Sequence, residues 1–416
     1  EVLLIGTGNK QRFLAPALLL LALQAQAQFE GSQLSPEAKI SLITCSPGEE
    51  LYAIFGHSAV RVNDPATGMD IVFNYGTFDF NEPGFYVKFI RGKLNYKLSI
   101  AYFQDFAYSY TLDNRSIYEQ EMNFTEAQKQ QYWQFLTNNY LPQNRFYLYD
   151  FFFDNCATRI RDGIEATFPN QVNFNIAHLD QDMSFRNLID LYLPPQPWSD
   201  FGIDLALGAP IDQKATPYEY MFLPDYLSEG FASATIQQNG QQVPLVDKPT
   251  VIFQNSPTPD STGGLFTPVL VWWLFFCLVL AITVLDYKRR KRSRTFDVFF
   301  FLITGLLGVL LFLLWFATDH QAAANNFNLL WALPTHVIAA AFLARPVLPG
   351  WLQKYMLVTA ALAFVTLLLW LVWPQQLPTA VFPIPLALLL RAAYTVWAAR
   401  QPTVISNTNT KIKERI

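Results

Sequence analysis

From residue 265 onward the chain is a succession of apolar runs, near 265–286, 297–318, 327–344, 355–373 and 379–397. Each is about 20 residues long, enough for one helix to cross the hydrocarbon core of a bilayer. In that solvent every backbone polar group must find its partner inside a helix or a closed barrel. The expectation is an all-α, five-helix transmembrane bundle over 265–400. The stretch Lys288-Arg-Arg-Lys-Arg-Ser-Arg294 between the first two runs is densely basic, whereas the connections near His320 and Gln375 are not. Basic loops stay in the cytoplasm. That places 288–294 inside, the preceding domain outside and, after five crossings, the tail 401–416 inside.

The other end of the chain gives the same orientation independently. Lys10 and Arg12 precede an apolar stretch from Phe13 to Leu23, and Ala25-Gln-Ala27 has the form of a cleavage site. Residues 1–27 thus read as an export signal. The segment 28–253 is then a domain on the outer face of the membrane, and 254–264, with Asn255-Ser-Pro-Thr-Pro-Asp-Ser-Thr-Gly-Gly264, a flexible linker. The net charge of −4 hides the asymmetry between the two halves. No basic tract with interleaved aromatics occurs in the outer domain, which argues against nucleic acid. No H-x-x-x-H or C-x-x-C spacing occurs, so neither metal nor other cofactor is expected.

The outer domain has mixed α+β patterning. Ile40-Ser-Leu-Ile-Thr-Cys45 reads as a strand, and Ser58–Val62 and Asp70–Tyr75 flank the turn-rich Asn63-Asp-Pro-Ala-Thr-Gly68 as a hairpin. Pairing Val62 with Asp70 sets His57 opposite Tyr75, with Asn74 one step away. Thr125 and Gln128 form a capping box at the head of a helix whose stripe is Trp133, Leu136 and Tyr140. A further helix starts at Cys156, with Asp154 and Asn155 as candidate caps and Ile160 and Ile164 on one face. The aromatic clusters Phe78, Phe80, Phe85, Phe89 and Phe151–Phe153 belong either to the core or to a lipid-accepting surface. Lys88, Arg91, Lys93 and Lys97 lie among the first of them.

Cys156 and His57 are the candidate catalytic pair. A thiol on the first turn of a helix feels the positive end of the macrodipole, which favours thiolate. An imidazole beside it would take the proton, as in thiol hydrolases and acyltransferases. Candidates for a third member, or for support of an oxyanion, are Asn74, Tyr75, Asp79 and Asn155. The backbone N–H groups at the start of the Cys156 helix are the simplest oxyanion donors. Arg61 and Arg159 either hold an anionic head group or make ordinary surface ion pairs. The competing reading of Cys156 is a disulfide with Cys45; the third cysteine, Cys277, lies in an apolar run. His178 sits in a loop-like stretch, and His320 and His336 belong to the membrane half.

Thr44-Cys-Ser-Pro-Gly-Glu-Glu-Leu-Tyr-Ala-Ile-Phe-Gly-His-Ser-Ala-Val-Arg-Val62 resembles the opening motif of the Lnb-type lipoprotein N-acyltransferase family of Bacteroides-type bacteria. Asn74-Tyr-Gly-Thr-Phe-Asp-Phe80, Arg91-Gly-Lys-Leu94, Leu112-Asp-Asn-Arg115 and Asp154-Asn-Cys-Ala-Thr-Arg-Ile-Arg-Asp162 add further matches. The resemblance implies a permuted papain-like or NlpC-like thiol domain, in which the His strand precedes the Cys helix. His57 would be the general base and Cys156 the nucleophile. The activity implied moves an acyl chain from a phospholipid, through a Cys156 thioester, to the α-amino group of a diacylglyceryl-lipoprotein's N-terminal cysteine. The location implied is the bacterial inner membrane, with the catalytic domain periplasmic. Two alternatives remain: a membrane-anchored cysteine hydrolase (an NlpC-like peptidase or amidase, or a lipid esterase), and a non-catalytic membrane scaffold.

Overall fold

The structure is a computed structural model describing residues 32–256 and 264–401. The expected signal segment and the expected cytoplasmic tail lie outside the described residues. The chain divides into two compact units. Among the described residues, the first comprises 32–192 with 214–256, and the second 193–213 with 264–401.

The first unit is built on an antiparallel sheet of seven strands. They are β1 (Lys39–Cys45), β2 (His57–Asp64), β3 (Met69–Thr77), β4 (Asn95–Tyr102), β5 (Ile117–Glu121), β6 (Phe146–Leu148) and a last strand, Thr250–Phe253. Their spatial order runs from that last strand through β5, β1, β2, β3 and β4 to β6. β1 is central and buried along six consecutive residues, so Ile, Leu and Thr fill it with little alternation. Its side chains still alternate between two cores. Ile40 and Leu42 join Val60, Val62, Phe73 and Tyr75 on one face, while Ile43 and Cys45 join Ala59 and Val72 on the other.

Helices cover both faces. α1 (Phe85–Ile90) is a short turn between β3 and β4. α2 (Phe103–Leu112) lays Phe103 and Phe106 on the Cys45 face. α3 (Glu126–Tyr140) and α4 (Cys156–Thr167) pack Trp133, Leu136, Ile160 and Ile164 on the other. The expected capping box opens α3: Gln128 N–H donates to Thr125 Oγ1 at 3.2 Å, and Thr125 N–H to Gln128 Oε1 at 3.0 Å. Such a cap contributes about 1 kcal/mol.

The second unit contains four helices long and apolar enough to cross a membrane: Pro268–Arg289, Arg294–Phe316, Gly350–Leu368 and Thr379–Arg400. The expected fifth span, the run 327–344, is not one long helix but a broken one. There a 3₁₀ turn, Phe327–Leu330, precedes Pro334 and the eight-residue helix His336–Leu343. Eight residues rise only about 12 Å, yet the whole run passes from Asn326, at the end that holds Leu205, to Leu343, whose carbonyl accepts from Arg292 of the basic loop at 2.9 Å. Pro334 supplies no N–H, and Asn326 caps the 3₁₀ turn by accepting from Asn328 N–H at 3.0 Å. The neighbouring span accommodates this segment through Gly305 and Gly308. A Cβ on Gly308 would lie 2.0 Å from Ala332 O, so only glycine permits the approach. His336 is fully buried here. Its Nε2 lies 3.1 Å from Trp331 O and its Nδ1 2.6 Å from Tyr355 Oη, which satisfies both nitrogens.

Residues 193–213, expected within the outer domain, pack with the helical unit instead. Phe201 and Leu205 of the helix Pro197–Ala206 join its core, where Phe201 meets Trp272. Asn326 Nδ2 donates to Leu205 O at 2.8 Å, and Gln375 Nε2 donates to Leu207 O at 3.0 Å. These contacts lie at the end of the bundle away from the basic loop 288–294. That agrees with the orientation read from the loop charges.

Candidate active site

The sheet register brings the candidate base to its partner. β2 and β3 pair Val62 with Ile71 and Asn63 with Asp70, one residue away from the expected register. Because side chains alternate, a one-residue shift exchanges faces. Asn74 therefore lies on the face of His57, and Tyr75 points into the opposite core. His57 pairs with Cys45 of β1 at the start of β2, directly after Gly56. Gly56 has φ of 78°, and a Cβ there would meet Cys45 O at 2.9 Å, so the entry to the strand requires glycine.

Asn74 Oδ1 lies 2.7 Å from His57 Nε2. A carbonyl oxygen only accepts, so Nε2 carries the proton. The nitrogen left to face a thiol is Nδ1, with its lone pair free to act as base. Tyr110 stacks on the imidazole with ring centroids 6.2 Å apart and planes 13° from parallel, and Phe106 lies at 6.5 Å. Arg115 caps the stack, with its guanidinium carbon 4.5 Å from the centre of the Tyr110 ring.

Cys156 reaches this cluster from the other side of the sheet. The loop before it is tightened by Asp150, whose Oδ1 accepts from Phe152 and Phe153 N–H. Asn155, not Asp154, caps α4. Its Oδ1 accepts from Ala157 and Thr158 N–H at 2.8 and 2.9 Å, and Thr158 Oγ1 accepts from Asn155 N–H at 2.8 Å. The Cys156 thiol therefore sits on the first turn, 8 % exposed, and hydrogen-bonds His57 and the N–H groups of Ser58 and Ala157.

Burial opposes ionisation of that thiol. The His57 charge, its hydrogen bond and the two backbone donors outweigh burial and hold the thiol below its ordinary value. Burial likewise pulls His57 down, but the Cys156 charge and hydrogen bond, with help from Asn74, raise it above its ordinary value. The pair thus favours thiolate and imidazolium. Cys45 is buried as well, and there burial outweighs the Arg115 charge and the Tyr110 hydrogen bond and pushes the thiol up. Both cysteines are free thiols.

The remaining candidates take other places. Tyr75 is buried in the core, 6.5 Å from the Tyr147 ring. Asp79 is exposed and accepts from Asn81 N–H in its own loop. The Asn155 amide nitrogen donates to Phe151 O and Phe222 O, both at 2.8 Å, so its side chain is committed at both ends. Arg61 is held by Asp70 at 2.8 Å and Glu119 at 3.0 Å, and Arg159 by Asp154, so each arginine faces carboxylates of its own. His178 lies in a 3₁₀ turn outside the cluster. Tyr110, Phe106 and Arg115 were not anticipated as neighbours of His57. The spacing of Phe103, Phe106 and Tyr110 along one helical face was the available signal.

If Asn74 fixes the imidazole, Asn74→Ala should slow alkylation of Cys156 by iodoacetamide near neutral pH by about 10- to 100-fold. That is the equivalent of the ~1.5–3 kcal/mol carried by a hydrogen bond to a charged group. Asn74→Asp, which keeps an acceptor, should retain more reactivity. An unchanged rate in Asn74→Ala would remove Asn74 from the site.

Comparison with curated proteins and with solved structures gave no match. Two family models do match: the Lnb N-terminal periplasmic domain over residues 25–190 and the Lnb transmembrane domain over residues 260–402. With the periplasmic module followed by the membrane module, this is a multi-pass inner-membrane protein with a periplasmic domain. The chain belongs to the Lnb-type family.

Proposed function

We propose that the protein is a thiol-dependent lipoprotein N-acyltransferase. The observation that carries this reading is the Cys156–His57–Asn74 cluster at the end of the sheet, in a chain tethered to the membrane that holds both lipid substrates. The order of His strand before Cys helix is that of a permuted papain-like or NlpC-like thiol domain.

The Cys156 thiolate attacks an ester carbonyl of a phospholipid. Charge develops on the carbonyl oxygen near the first turn of α4, where the Cys156 N–H has no intrahelical acceptor and serves as donor. The ester C–O bond breaks, His57 gives its Nδ1 proton to the departing lysophospholipid oxygen, and a thioester remains. The α-amino group of a diacylglyceryl-lipoprotein then attacks the thioester. His57 takes the amine proton as the C–S bond breaks, and the products are an amide and the restored thiolate–imidazolium pair. Keeping water from the thioester distinguishes this course from lipid hydrolysis.

Incubating the full chain with acyl-labelled phospholipid should place a hydroxylamine-sensitive label on Cys156, discharged by a diacylated lipopeptide. Labelling followed only by release of free fatty acid would identify a hydrolase, and absence of label would remove the acyl-enzyme.

The pH dependence follows from the two shifts. Thiolate forms below the 9.0 of an ordinary thiol, and imidazolium persists above the 6.5 of an ordinary imidazole. Acyl-enzyme formation should therefore rise as Cys156 loses its proton, level off, and fall as His57 loses its own. In His57→Gln the acid limb should move upward, because burial of the thiol is then no longer offset by the imidazolium. A wild-type acid limb already at the variant's position would show that no ion pair forms.

A further inference from the structure

The helix α1 has an unusual surface for a domain exposed to water. Of its six residues only Phe85 is buried, while Tyr86 is 73 %, Val87 62 % and Ile90 55 % exposed. Phe80, in the loop just before it, is 66 % exposed. Apolar groups gathered this way mark a surface that meets something other than water. The bases Lys88, Arg91, Lys93 and Lys97 fall in the same stretch, against two acids, Asp79 and Glu82, the latter paired with Lys88 at 2.6 Å. Apolar and aromatic side chains set among bases match an interface of anionic head groups over acyl chains.

The patch is also continuous with the candidate nucleophile. Phe85 lies 5.8 Å from Phe78, Phe78 5.3 Å from Tyr96, and Tyr96 stacks on Tyr149 at 4.4 Å. Tyr149 and the Cys156 Cβ close the series on either side of Gly76. Both lie within 4 Å of the place a Cβ on Gly76 would occupy, Tyr149 at 3.7 Å and Cys156 at 3.8 Å. A row of rings therefore runs from the exposed helix to the sulfur.

We propose that α1 docks into the surface of a bilayer carrying anionic phospholipid, and that the ring series from Phe85 to Tyr149 guides an acyl chain from there to Cys156. The guiding role rests on the acyl-transfer reading of Cys156; the docking role does not. The bilayer is favoured over a protein partner because the chain is already anchored in one and because the basic residues match its head groups.

The test uses the full chain in nanodiscs of phosphatidylethanolamine and phosphatidylglycerol. A fluorophore placed through Val87→Cys, in a Cys156→Ala, Cys277→Ser background, should be quenched by doxyl-labelled lipid at least twofold more than one placed through Gln242→Cys. Equal quenching at the two positions would overturn docking. Because that protein cannot form an acyl-enzyme, its quenching reads docking whether or not Cys156 accepts acyl chains. In the chain with Cys156 intact, Val87→Asp with Ile90→Asp should lower the ratio of acylation by bilayer phospholipid to acylation by a soluble short-chain thioester about tenfold. An unchanged ratio would overturn the guiding role.

Discussion

Cys156→Ala should reduce transfer of acyl chains to lipopeptide amines by at least about 10⁴-fold, or ~5 kcal/mol of barrier at 1.36 kcal/mol per decade. The sulfur is the atom on which both halves of the proposed reaction occur, and Cys45, the other thiol beside His57, is kept protonated by its burial. His57→Ala should cost nearly as much. Without the imidazole, burial dominates the thiol and leaves it protonated, and neither the departing oxygen nor the incoming amine has a proton partner. Groups that act as a unit are not additive, so the double variant should be little slower than either single one. The measurement is mass spectrometry of a diacylated lipopeptide incubated with reconstituted protein. Independent, multiplying losses would show that the two side chains do not work on one reaction, and normal transfer in Cys156→Ala would leave the scaffold reading.

Arg391→Met should be the most destabilising single change in the membrane half. The Arg391 guanidinium is fully buried and donates to Asp297 Oδ1 at 2.6 Å, Asp286 Oδ2 at 3.1 Å and Thr283 Oγ1 at 3.0 Å. Arg292 approaches Asp297 at 3.4 Å, and Ser293 Oγ donates to Asp286 at 2.7 Å. Two cations and two anions thus join three of the long helices at the end bearing the basic loop. Removing one partner of a buried pair costs about 3–5 kcal/mol, chiefly because the other charge is left uncompensated. Arg391→Met with Asp297→Asn restores the balance through Arg292 and Asp286, and should recover a large part of the loss. Unfolding of the detergent-solubilised protein followed by a tryptophan signal would measure both. A single-variant cost below about 1 kcal/mol would mean that water or lipid head groups reach the cluster.

The membrane half was legible because about 20 apolar residues in a row have few fates, and the orientation was legible because charge is read locally, loop by loop. The exception at 327–344 shows the limit. Composition gives a hydrophobic run there, but Pro334 and the close approach of Gly305 and Gly308 turn it into a 3₁₀ turn and a short helix. Residues 193–213 show the same limit in the other direction. Their chain position lies before the linker, and only packing against Trp272 and the Asn326 and Gln375 amides joins them to the bundle.

In the candidate site, the sequence by itself determined the two candidate side chains and their local settings. Cys156 follows a residue that caps a helix, and His57 follows a glycine that begins a strand; both are properties of a few adjacent residues. Only the tertiary structure decided who stands around them. The choice of Asn74 over Tyr75 hangs on one residue of β2–β3 register, which local pattern leaves open and a two-sided core sets, because a shift by one would exchange the faces. The Tyr110 stack on His57, the hold of Glu119 on Arg61, and the Tyr96–Tyr149 link in the row of rings leading to α1 are contacts between segments far apart in the chain. No single stretch carries them, since each depends on where the sheet places its neighbours.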